Sequence, residues 1–297
     1  MKRALLIALL SFVVAASNLE QFCSEGLNKS LGEISFFHLD EATLATANNS
    51  LHLFDENGVL LISKSFDQPI IDISTSNNST YVLLPSKIIK INNVNLNTED
   101  SYDLKLVVQS SNDLPHGFTI KDETFYIAYG KHGLVKMNMN DRELKIFSFT
   151  LPHDKGQISK TTGVAINGTD LFLLYDNVTY DFSTNKRAFE GVVMTSLEQL
   201  NNYKAISIRA DREALHEGNL YIRDGKLYSQ NLHILFEYDL NKLKKAKYFW
   251  PQRRLFNFEG NQILGRATVK NKTISGCFKN YDQSTDSFTS FFSTVKI

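Results

Sequence analysis

Apolar positions along this chain fall in short runs of two kinds. The first kind is continuous: Tyr81-Val-Leu-Leu84, Phe125-Tyr-Ile-Ala-Tyr129 and Leu171-Phe-Leu-Leu-Tyr175. Unbroken apolar stretches of this length, rich in aromatic and β-branched residues, predict strands buried on both faces. The second kind ends in an aromatic or apolar residue followed by Asp or Asn. It occurs as Leu51-His-Leu-Phe-Asp55, Ile88-Ile-Lys-Ile-Asn92 and Leu134-Val-Lys-Met-Asn138. It returns as Asn177-Val-Thr-Tyr-Asp181, Leu235-Phe-Glu-Tyr-Asp239 and Phe278-Lys-Asn-Tyr-Asp282. The motif recurs about every 40–50 residues, the period of a β-propeller blade. The step from Asp181 to Asp239 is longer, which predicts an extended loop in the fifth unit.

The flanks complete a unit. Ahead of the continuous runs come Gly117-Phe-Thr-Ile120 and Gly163-Val-Ala-Ile166. After the motif comes a turn and a further strand. Asp55-Glu-Asn-Gly58 leads into Val59-Leu-Leu-Ile62, and an Asn-Gly pair is a strong hairpin marker. Four short strands per unit and six units in a ring predict an all-β, six-bladed β-propeller. A β-sandwich or a pair of barrels would draw on the same strands. Only Thr195–Tyr203 and Leu240–Lys247 offer helical turns, and the lysines of the second suit a solvated loop equally well. No low-complexity linker divides the chain.

Residues 1–17 break the pattern. Lys2 and Arg3 precede an apolar stretch from Ala4 to Ala16, closed by the small residues Ala15, Ala16 and Ser17. This reads as a secretory signal peptide, and the stretch is shorter than a spanning helix. An uncleaved anchor is the alternative. Residues 18–297 then form the propeller domain, with no further span. The expected location is extracellular, the secretory-pathway lumen, or the periplasm of a bacterium. Sequons begin at Asn28, Asn48, Asn77, Asn78, Asn167, Asn177 and Asn271, which a eukaryotic host would glycosylate. Cys23 and Cys277 are the only cysteines. An oxidising compartment favours their pairing, and a closed ring would bring the first and last units side by side. Two buried free thiols are the alternative.

Composition narrows the function classes. Thirty-two basic residues balance 32 acidic ones, so the chain lacks the basic excess of a nucleic-acid binder. No phosphate-binding loop, nucleophile elbow or zinc-protease helix motif occurs. A propeller instead collects ligands from the starts of its inner strands, which converge at one mouth of the ring. Those positions include Glu33, His116, Thr162 and Asp211. Carboxylates, an imidazole and carbonyl oxygens there suit a divalent ion, Ca²⁺ above all. The same residues serve equally as ordinary turn residues. Lys242, Lys244, Lys245, Lys247, Arg253 and Arg254 flank Tyr248-Phe-Trp-Pro251, a basic cluster that is either a contact for an acidic partner or a solvated loop.

Leu31-Gly-Glu-Ile34, Pro115-His-Gly-Phe-Thr-Ile120 and Thr162-Gly-Val-Ala-Ile166 resemble blades of the senescence marker protein-30/gluconolactonase/regucalcin family, and NHL-type repeats as well. The resemblance covers about half the chain. It implies a metal held by Glu33, with Thr162 at a second site position and His116 added beside it by its place at the mouth. It also implies a general base near Ala210 or Asp211, where no Asp-Gly pair stands. Thr162 stands where that family has Asn, and the Pro that follows Glu-Gly in that family's opening pattern is missing. Two functions follow as expectations. The first is a binding module whose faces take a protein, glycan or small ligand. The second is a divalent-metal-dependent lactonase or ester hydrolase.

Overall fold

The apolar runs become strands stacked radially in a ring. The computed structural model describes residues 18–28, 34–39, 42–76, 79–106, 113–150, 160–177, 189–208, 219–223, 225–230, 234–245, 248–249, 253–257, 261–270, 273–282, 284–285 and 287–296. Helix α1 (Leu19–Asn28) comes first. The first sheet follows with β1 (Ile34–His38), β2 (Ala42–Ala47), β3 (Ser50–Asp55) and β4 (Leu60–Ser65). The second holds β5 (Asp72–Ser76), β6 (Ser79–Leu83), β7 (Lys87–Asn92) and β8 (Thr98–Asp103). The third holds β9 (Gly117–Lys121), β10 (Thr124–Ala128), β11 (Leu134–Asn138) and β12 (Leu144–Phe147).

The fourth sheet has β13 (Lys160–Asn167), β14 (Asp170–Asn177), β15 (Phe189–Ser196) and β16 (Tyr203–Ile208). The fifth has β17 (Asn219–Arg223), β18 (Lys226–Gln230) and β19 (Ile234–Asp239). Helix α2 (Leu240–Lys245) then precedes β20 (Tyr248–Phe249), which joins the fourth sheet beside β16. β21 (Arg253–Asn257) completes the fifth sheet beside β19. The chain ends with β22 (Asn261–Lys270), β23 (Thr273–Asp282) and β24 (Ser287–Lys296).

The all-β propeller is as expected, but the blade count is not. The expected ring of six blades is a ring of five sheets. The last three strands, expected as a sixth blade, join the first sheet. β22 pairs in parallel with β1 at Arg266 and Ser35, giving one sheet of seven strands in the order β24-β23-β22-β1-β2-β3-β4. A repeat spacing counts strand groups; it does not say which groups share hydrogen bonds.

Burial explains the two kinds of run. Inner and middle strands are covered on both faces by neighbouring sheets. All five residues of β10 are buried, whereas outer β4 alternates half-buried and exposed. Successive cores fill the gaps between sheets. Leu51 and Leu53 meet Val82 and Ile91 between the first and second sheets. Tyr81 and Ile88 meet Phe125 and Val135 between the second and third. Tyr126 and Leu134 meet Leu171 and Val193, and Phe172 and Val192 meet Leu227 and Phe236.

The remaining core closes the ring. Cys23, Phe36, Phe54 and Cys277 pack together, with Phe22 and Phe292 against them. The expected Cys23–Cys277 disulfide is present, across a Cα separation of 5.5 Å and 254 residues of sequence. It pins α1 to β23. Asn18 caps α1 by accepting the Gln21 amide, 2.8 Å away, and Phe22 meets Phe54 at 5.6 Å between ring centroids. Of the two helical stretches named above, Leu240–Lys245 is a helix whose Leu240 and Leu243 enter the core. Residues 197–202 form the turn between β15 and β16. Among the described residues no helix is long and apolar enough to cross a membrane. Residues 1–17 and the middle of the expected fifth-unit loop lie outside the described residues.

Candidate functional site

At one mouth of the ring the starts of the inner strands approach one another. Asp72 opens β5, His116 precedes β9, and Thr161 and Thr162 lie near the start of β13. Gly117 permits the approach: a Cβ there would lie 3.3 Å from Asp72 Oδ2 and 3.8 Å from the Thr162 carbonyl. His116 and Thr162 were expected at this mouth. His116 is half-buried and donates its amide to the Ala128 carbonyl at 2.9 Å. Thr162 is buried, and its hydroxyl has no hydrogen-bond partner among the described residues. Glu33 and Asp211 lie outside the described residues. Among the described residues no three His, Cys, Asp or Glu side chains gather in a metal-holding group.

The polar groups that do converge tie sheets together. Asp72 is 6% exposed; it accepts the Ile73 amide at 2.8 Å and the Phe118 amide, from the next sheet, at 3.0 Å. Thr161 Oγ1 lies 3.1 Å from the Gly130 carbonyl and 2.6 Å from the Gly133 carbonyl, reaching from the fourth sheet to the third. A hydroxyl has one hydrogen, so the shorter contact is the stronger one. The Thr161 amide adds a bond to Gly130 at 2.9 Å. The sequence reading missed Asp72, because β5 (Asp-Ile-Ser-Thr-Ser) carries no apolar run of the kind that marked Thr162.

It also missed an ionic cluster on this rim. Asp113 is 1% exposed, with Lys131 Nζ 2.7 Å and His132 Nε2 3.9 Å from Oδ1. Burial, and after it the Asp113 charge, pushes the nearby Tyr129 phenol up to about 12. A buried carboxylate of this kind needs its cation, and Lys131 supplies it. The cluster links the segment before β9 to the β10–β11 turn.

The expected basic cluster resolves in part. Lys242, Lys244 and Lys245 are exposed on α2; Lys244 pairs with Asp170 at 2.5 Å, and Lys204 donates to the Lys244 carbonyl at 3.2 Å. Lys247 and Trp250 lie outside the described residues, and Arg253 and Arg254 lie on β21. Two concavities open outward nearby. One, of about 300 Å³, is lined by Asp170, Met194, Tyr203 and Lys244. The other, of about 600 Å³, lies between Lys136, Lys145 and Phe147 of the third sheet and the 197–202 turn of the fourth. Of the sequons, Asn48 and Asn167 are exposed at strand ends, Asn28 ends α1 and Asn177 ends β14. Asn77, Asn78 and Asn271 lie outside the described residues.

No protein-family model matches the chain, and no curated protein matches it. The resemblance to the gluconolactonase and NHL families therefore gains no support at family level. Solved structures do match. The WD40 domain of Neurospora crassa Pan2 aligns at a TM-score of 0.52 and 11% identity, over 89% of this chain and 76% of that one. U3-55K aligns at 0.52 and 8%, over 90% and 82%. The extracellular domain of the putative one component system BT4673 from B. thetaiotaomicron aligns at 0.50 and 13%. There the chain covers 92% of itself but only 34% of the longer protein. Identities this low establish the propeller fold alone.

Proposed function

We propose that this chain is a secreted or lumenal propeller that works as a binding module. The observation that carries the reading is how the polar groups at the ring mouth are used. Asp72 Oδ2 accepts an amide of the third sheet, and Thr161 Oγ1 bonds carbonyls of the third sheet from the fourth. A scaffold tied in this way holds its turns and inter-sheet grooves rigid, which lowers the ordering cost of binding a partner. The Cys23–Cys277 bond fits an oxidising compartment. Residues 1–17 would act as the signal peptide, and Asn48 and Asn167 would accept glycans in a eukaryotic host.

The test has two arms on the disulfide-intact protein. In the first, the labelled protein is titrated onto cells and secreted proteins of its own source, with reduced protein as the control. Saturable binding lost on reduction is the expected result. In the second, a panel of lactones and esters is offered with calcium or zinc, with and without chelator. Chelator-sensitive turnover would overturn the module reading, as would the absence of saturable binding.

A further inference from the structure

We propose that the groove between the third and fourth sheets docks an extended acidic segment of a partner protein, which adds as a strand to the outer edge of β12. This rests on the binding-module reading and gives it a place and a chemistry.

The first observation is an open edge. The third sheet runs β12-β11-β10-β9, so β12 ends it and no described strand pairs with its outer side. An edge strand offers a row of backbone donors and acceptors that a peptide can complete. The second observation is the groove beside it, about 600 Å³, a size that holds several side chains. Lys145 and Phe147 share the face of β12 that lines it, by the period-two alternation of a strand. Leu197 and Leu200 line it from the fourth sheet.

The third observation decides the charge of the occupant. Lys136 and Lys145 sit directly opposite each other in the β11–β12 register. Like charges directly opposite on a sheet are destabilising. Their own partners offset this weakly. Lys145 meets Glu143 at 3.0 Å, with both side chains more than half exposed, a pair that contributes little. Lys136 lies 5.7 Å over the Tyr126 ring, and no described carboxylate pairs with it. A carboxylate facing both lysines from an added strand would relieve the repulsion. A second copy of β12, Leu-Lys-Ile-Phe, brings a further lysine and no carboxylate, so it supplies nothing to neutralise these charges. Glu198, on the opposite wall, is the one carboxylate among the described lining residues.

The experiment is a selection of phage-displayed ten-residue peptides on the full-length, disulfide-intact protein. Enriched peptides are then synthesised with a fluorescent label and measured by anisotropy. The expected peptides carry Asp or Glu at alternate positions. Lys136→Glu with Lys145→Glu should weaken them at least about tenfold, as expected when attraction turns to repulsion at an interface. Lys136→Gln with Lys145→Gln, which removes charge with least disturbance, should weaken them less, and Glu198→Gln should tighten them. Circular dichroism checks each variant for fold. Absence of an acidic enriched pool overturns the proposal. So do enriched peptides that bind the charge-reversed and charge-neutral variants as well as wild type; the module reading would then survive with its site elsewhere.

Discussion

Asp72→Ala should loosen the junction of the second and third sheets. Asp72 is 6% exposed, and the donors it satisfies belong to Ile73 and Phe118, which are 3% and 4% exposed. Removing the carboxylate leaves two buried amides without this acceptor. Each such loss costs about 1–3 kcal/mol, so the variant should lose about 2–6 kcal/mol. At about 2–4 °C per kcal/mol for a domain of this size, the melting midpoint should fall by about 4–24 °C. Asp72→Asn keeps one acceptor oxygen and turns an N–H₂ toward the second amide, so about half the loss should remain. Asp67→Ala is the control. Its carboxylate, 2.9 Å from Lys87, is exposed, and breaking that pair should leave the melting midpoint nearly unchanged. Urea unfolding gives the stabilities, and hydrogen exchange at the Phe118 amide reports the bond itself. If Asp72→Ala unfolds within about 0.5 kcal/mol of wild type and Phe118 exchanges no faster, the carboxylate does not tie the sheets.

Cys23→Ser with Cys277→Ser should lower the urea midpoint, with a loss of about 2–5 kcal/mol, and should expose α1 to proteolysis; unchanged cleavage in α1 would show that packing alone holds the helix. Gly191→Ala should cost at least about 1–3 kcal/mol by thermal melting, because the new methyl meets the Ile206 carbonyl and the Tyr175 ring; a neutral result would mean the fourth sheet yields there. Burial first, then the Asp100 hydrogen bond and charge, pushes the Tyr102 phenol up to about 12, the value Tyr129 also reaches. The folded chain holds these protons more tightly than the unfolded one, so their contribution is whole below about pH 10 and is lost as pH rises towards about 12. Stability measured across that window should fall, and fall less in Tyr102→Phe with Tyr129→Phe; a flat wild-type profile would refute the shift.

Strands, turns and the propeller were legible in the sequence because they follow from local rules. Phe125 to Tyr129 is apolar throughout because neighbouring sheets cover both its faces, and Asn57-Gly58 turns the chain because backbone sterics permit it. The pairing of Cys23 with Cys277 followed from ring closure and the position of each cysteine near an end of the chain. Three features depended on distant partners. The seven-stranded first sheet exists because β22 meets β1, far apart in sequence. Helix α1, too short to hold alone, is fixed by Phe22 against Phe36 and Phe54 and by its disulfide. Asp72 gains its role from an amide 46 residues away, which no local pattern can announce. The opposed lysines of the groove are close in sequence, but only the strand register sets Lys136 against Lys145. Periodicity is written in each segment, whereas contacts between segments exist only once the ring has closed.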